Sequence, residues 1–189
     1  LGGAMARAAD LSGIHFRTLN KRKGPAVWAT RAQADRELYK KAIQGFIRKQ
    51  KNLKVCESEV IDILVDKKNL CHGVELETKE KISSKTVILT TGTFLSGKIF
   101  IGEKSFEAGR AGDKASNKLA KRLRDLGLPL GRLKTGTPPR LDGKTIDFSV
   151  LKEQAGDDLR PVFSFFSNLK DHPRQISCYI ARTNNKTHE

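Results

Sequence analysis

Thr86-Val87-Ile88-Leu89-Thr90-Thr91-Gly92-Thr93 is the run on which the fold class turns. It is unbroken and apolar through Leu89, then closes on small residues. Continuous β-branched runs of this kind suit a parallel strand buried on both faces, whereas a strand with one wet face alternates. The small residues at its end would let a ligand approach backbone N–H groups, as at the carboxyl edge of an open α/β sheet. Many buried strands end in glycine without meeting a ligand, so both readings stay open on this run alone.

Before this run the hydrophobic period is two. NLKVC (52–56), EVIDILVD (59–66) and NLCHGVELET (69–78) read as short strands, with Lys67-Lys68-Asn69 turning between the second and third. Earlier still, Thr30 followed three residues later by Gln33 is a capping-box signature. Leu38, Ala42, Ile43, Phe46 and Ile47 then share one face, which predicts a helix over 31–49. Its other face carries Arg36, Lys40, Lys41 and Arg48, equally suited to water or to RNA.

After the run, GRAGDKASNKLAKRLRDLG (109–127) predicts a second helix. Asp113 is its expected N-cap with Ser116 at N3, Leu119, Leu123 and Leu126 form the apolar stripe, and Gly127 suits the C′ position. Lys114, Lys118, Lys121 and Arg122 line another face and lead into GRLKTGTPPR (131–140). Adjacent Pro138 and Pro139 remove two backbone donors and fix two φ angles, so this stretch is a rigid loop. Arg132, Lys134 and Arg140 could serve an anion there, or only water. From Ile146 the sequence is richer in phenylalanine, which places a division near Pro138 to Asp142.

The chain has 189 residues, enough for one ordinary domain or one and part of another, and 38% hydrophobic content is enough for a core. A net charge of +15 favours a polyanionic partner, nucleic acid or an anionic membrane surface, over an inert basic exterior. Cys56, Cys71 and Cys178 lack C-x-x-C spacing and any histidine ligand pattern, so no metal site is expected. Their odd number argues against a disulfide scaffold and for a reducing compartment. No run is long enough to span a membrane and the start has no signal-peptide pattern, so a soluble protein is expected. The start at Leu1-Gly2-Gly3 and the end at Thr187-His188-Glu189 read as those of a piece of something longer.

Five segments in order, KGPAVWATRAQADRELY (23–39), VILTTGTFLSGKIFIG (87–102), GRAGDKAS (109–116), GRLKTGTPPRLDGKTIDFS (131–149) and CYIARTNNKTH (178–188), closely resemble the MnmG (GidA) family of flavoenzymes that modify the tRNA wobble uridine. Trp28 stands where the family usually has arginine, Lys114-Ala115 replaces its usual prolines, and Arg182 replaces a usual histidine. The resemblance implies an α/β fold. Residues 1–138 would be part of a glutathione-reductase-like FAD-binding domain with a β-meander, its glycine fingerprint lying upstream. Residues 139–189 would begin an inserted, NADH-linked second α/β domain.

It further implies a homodimer working with the GTPase MnmE. Together they place an aminomethyl or carboxymethylaminomethyl group on C5 of uridine 34, the carbon coming from methylenetetrahydrofolate. Location would be cytoplasmic in a bacterium, or the mitochondrial matrix for an organellar enzyme. The family's functional cysteines lie outside this segment, and none of the three here matches them, so no catalytic residue is carried over. Val60 and Ser116 match family positions that contact FAD, and Thr91, Gly92 and Thr93 match a strand end that passes near it. Lys134, Thr137 and Arg140 are candidates for flavin, folate or tRNA contacts. Lys21, Arg22, Lys23, Lys118, Lys121 and Arg122 are candidates for the tRNA backbone. Two other readings remain open: a folate- and FAD-dependent tRNA uracil methyltransferase relative, and a non-catalytic basic RNA-binding module.

Overall fold

A computed structural model describes residues 3–138 and 140–188. In chain order the elements are α1 (Ala4–Ser12), β1 (Gly13–Leu19), β2 (Ala29–Ala34), α2 (Arg36–Lys49), β3 (Val60–Val65), β4 (Cys71–Leu76), β5 (Lys81–Ser83), β6 (Lys98–Ile101), β7 (Lys104–Glu107), α3 (Asn117–Asp125), β8 (Lys152–Gln154), β9 (Cys178–Ile180) and α4 (Asn185–His188). The fold is mixed α/β, and its strand ladders are antiparallel. Composition places one division, near Pro138 to Asp142, and the resemblance puts it at 138/139. Contacts group Leu1–Leu53 with Pro138–Glu189 in one compact unit and make Lys54–Thr137 a second.

In the first unit β1 and β2 form a hairpin whose last pairs are Thr18 with Thr30 and Leu19 with Ala29. The 31–49 helix therefore starts later than expected, at Arg36. Thr30 is not a cap, because its backbone is committed to β1. Asp35 caps instead, its carboxylate accepting from the Leu38 N–H at 2.9 Å. The far segment closes on β1 through the backbone: Asp157 N–H donates to the Phe16 carbonyl at 2.9 Å and Ile176 N–H to that of Ile14 at 2.7 Å. Phe16 is fully buried, with His172 stacked on it at 4.2 Å and Phe163 tilted at 6.0 Å. Asp10, also fully buried, accepts the N–H groups of Phe163 and Ser164 at 2.9 Å each, with His172 Nε2 at 3.5 Å.

The second unit is built on the meander β3-β4-β5. The turn expected at 67–69 is there: Asp66 accepts from the Lys68 and Leu70 N–H groups, and Asn69 takes a φ of 60°. α3 packs on β3, burying Leu119 and Leu123 against Ile63, with Val60, Val65, Leu95 and Leu126 around them. Ser116, not Asp113, is its N-cap, while Asp113 pairs with Arg110 at 2.6 Å. Gly127 follows the helix at φ 75°, as its place in the sequence indicated.

Residues 52–56 form no strand. Nor do 86–93, where Ile88 is 85% exposed. No described strand of this unit pairs with that run, and without a neighbouring ladder it does not form a strand. The parallel pairing that does occur is one isolated bridge, Leu95 with Ser116.

Candidate functional site

Although 86–93 is not a strand, its small end borders a cleft of the second unit. The cleft has a volume of about 590 Å³, and Val60, Thr91, Gly92, Phe94, Lys114 and Ser116 are among its lining residues. Val60 opens β3 and is set by its pairing with Leu76. Thr91 to Phe94 make a turn, the Phe94 N–H donating to the Thr91 carbonyl at 3.2 Å. Gly92 takes φ 56° and has open space where a Cβ would stand, so its backbone is approachable.

Ser116 is held by the same turn. Its N–H donates to the Phe94 carbonyl at 2.8 Å and its carbonyl accepts from Ser96 N–H at 3.4 Å. The Ser116 N–H is thus committed, and its hydroxyl makes no capping bond. What this position offers a ligand is the hydroxyl and the first turn of α3. Thr93 lies outside the lining, its Oγ1 donating to the Gly109 carbonyl at 2.7 Å. It braces the turn.

Four sequence candidates, Val60, Thr91, Gly92 and Ser116, therefore meet in one cleft. Lys134 and Thr137 are exposed on the 131–138 stretch and do not line it, and Arg140 is exposed in the other unit. Pro139 lies outside the described residues. The first guanidinium of that stretch is spoken for, since both terminal nitrogens of Arg132 donate to the Ser96 carbonyl at 3.3 Å. Phe94 is a cleft residue that the sequence did not mark, and Lys114, expected on the cationic face of the helix, instead lies before α3 and lines the cleft. A pairing pattern signals neither, because both come from loops.

The cationic candidates divide by partner. Arg122 reaches across to β3, giving the Ile63 carbonyl two N–H groups at 3.1 and 3.3 Å and lying 2.6 Å from Asp62. Because its Nε–H is directed at Ile63, the pair with Asp62 is held by charge more than by a directed hydrogen bond. Lys118 lies 3.7 Å from Glu77, whereas Lys121 is exposed. Lys21 pairs with Asp157 at 2.9 Å, and Arg22 and Lys23 are exposed. Burial raises the Asp157 carboxyl's pKa, but the Thr18 N–H at 2.7 Å and the Lys21 ammonium outweigh it and hold the pKa below the usual carboxylate value.

Among the described residues no group of histidine, cysteine and carboxylate side chains could hold a metal ion. The three cysteines are free thiols, Cys56 exposed and the others half-buried. No described helix is long and apolar enough to cross a membrane.

A meander backed by one helix, with an open cleft at the helix's first turn edged by small residues, defines an α/β protein with a ligand-sized cleft. The chain belongs to the family described as glucose inhibited division protein A, which matches it over residues 1–189. It is similar to Aquifex aeolicus GidA in crystal form I, with a TM-score of 0.85 and 42% identity over 95% of this chain and 31% of that one. Against form II of the same protein the TM-score is 0.84, with 42% identity over 94% of this chain and 30% of that one. The chain thus spans less than a third of the length of these relatives.

Proposed function

We propose that this chain serves in a flavin-dependent enzyme that modifies C5 of the wobble uridine of tRNA. The observation that carries the reading is the convergence of Val60, Thr91, Gly92 and Ser116 on one cleft, in a chain of this family. The cleft fits part of an extended cofactor such as FAD. Its apolar wall from Val60, Phe94 and Leu119 suits a ring or chain, and the open Gly92 backbone, the Ser116 hydroxyl and Lys114 suit its polar or anionic parts. Bound there, the flavin would supply the redox chemistry. This chain's residues orient it: the Phe94–Ser116 hydrogen bond fixes the turn against α3, and the Thr93–Gly109 bond keeps that turn from collapsing.

The wider scheme is part of the same proposal. NADH would reduce the flavin, methylenetetrahydrofolate would give the carbon, and the enzyme would act as a homodimer with MnmE. The net charge of +15 supports a tRNA substrate, with Arg22, Lys23 and Lys121 the cations best placed for its backbone. Purified full-length protein is expected to be yellow and to carry FAD. A colourless protein that takes up no FAD on titration overturns the flavoenzyme reading.

A further inference from the structure

We propose that Trp28, at the tip of the β1–β2 hairpin, is a stacking platform for one unpaired base of single-stranded RNA, flanked by Arg22 and Lys23 on the backbone. The proposal rests on the tRNA reading above and deepens it.

Trp28 is the chain's one tryptophan, and it is 51% exposed. A large aromatic left half in water is unusual unless something covers it. It is also held firmly. Its backbone N–H donates to the Pro25 carbonyl at 3.2 Å and its indole Nε1–H to the Lys21 carbonyl at 3.3 Å. The tip is closed again from the other side, with Asn20 Nδ2 donating to the Val27 carbonyl at 3.2 Å and Lys23 N–H to the Asn20 carbonyl at 2.8 Å. With its polar atom satisfied, the indole presents apolar ring surface, and little side-chain entropy remains to be lost on binding.

The charge around it points to an anion of repeating phosphates. Lys21, which holds the indole, is neutralised by Asp157 at 2.9 Å, so its part is structural. Arg22 and Lys23 are exposed, and no described carboxylate lies within salt-bridge distance of either. A fixed aromatic face beside two free cations is the arrangement that binds single strands, the ring taking a base and the cations taking phosphates. A membrane surface is the weaker fit, because the exposed apolar side chains beside Trp28 at this tip are Pro25, Ala26 and Val27, all small or medium-sized, and together they bury little area.

The test compares full-length wild type with Trp28→Phe, Trp28→Ala and the double variant Arg22→Ala/Lys23→Ala. The probes are single-stranded oligouridylate, inorganic polyphosphate as an anion without bases, and phosphatidylserine vesicles. Trp28→Ala is expected to weaken oligouridylate binding about tenfold, and Trp28→Phe to retain most of it, with polyphosphate binding unchanged in both. The double variant is expected to weaken both polyanions and lower the log–log salt slope for oligouridylate by about 1.4. Unchanged oligouridylate binding by Trp28→Ala, with the double variant weakened, overturns the stacking role and leaves the RNA reading standing. Equal losses on oligouridylate and polyphosphate make Trp28 a scaffold only and overturn it too. A loss confined to vesicles overturns it in favour of a membrane contact. Failure of every form, wild type included, to bind oligouridylate removes the RNA reading itself.

Discussion

Asp157 shows how one side chain can fix a hairpin tip that lies far away in sequence. Its carboxylate takes the Thr18 N–H at 2.7 Å and the Lys21 ammonium at 2.9 Å. Asp157→Asn keeps an oxygen for the Thr18 N–H but loses the charge that pairs with the half-exposed Lys21, so it is expected to destabilise the unit by about 0.5–1 kcal/mol at neutral pH. The sign with pH follows from the lowered carboxyl pKa. The ionised form is favoured by folding, so its contribution is present above the unfolded carboxylate value of about 3.9 and disappears as pH falls through the lower folded value. Urea unfolding of wild type and Asp157→Asn should therefore begin to converge in stability as pH falls below about 4 and meet below the lower folded value. A gap that persists unchanged into acid contradicts this account.

The elements separate structural from functional cations. Arg122 belongs to the α3–β3 interface, so Arg122→Ala should lower the unfolding midpoint, by about 1–3 kcal/mol in stability, while Lys121→Ala leaves it within about 0.5 kcal/mol. Equal effects of the two would remove the distinction. Gly97 is tighter still, because a Cβ there would run into the backbone carbonyl oxygens of Thr93 and Ala108. Gly97→Ala should cost about 1–3 kcal/mol and displace the 91–94 turn, read as lost FAD retention by the full-length protein. Normal flavin content and stability would sink that prediction.

β3, β4, the turn at 67–69 and the α3 stripe were legible because each is written in local period and turn chemistry. The strand 29–34 was not, since Thr30 and Gln33 carry a valid capping pattern and only the distant β1 overrides it. The 86–93 run failed for the opposite reason: its composition is that of a strand, but pairing is not a local property. Its small residues still marked the cleft, because they report space near the backbone rather than secondary structure. Phe94 went unmarked and Lys114 was placed on the helix, because loop conformation is what brings both to the cleft.

At the scale of the whole molecule, the described residues form two units whose order along the chain is interleaved. The first unit is finished only when the stretch after Thr137 returns to β1 through Asp157, Ile176 and the buried Asp10. Residues 54–137 make their own core, so nothing in the second unit waits for the end of the chain. The first unit does wait, and the interval can be put in seconds. During synthesis at about 5–20 residues per second, the 54–137 stretch takes roughly 4–17 s to make. For at least that time Phe16 and Asp10 stand on the ribosome without the residues at 163–172 that bury them, which leaves apolar and charged groups of the nascent β1–β2 hairpin open to chaperones.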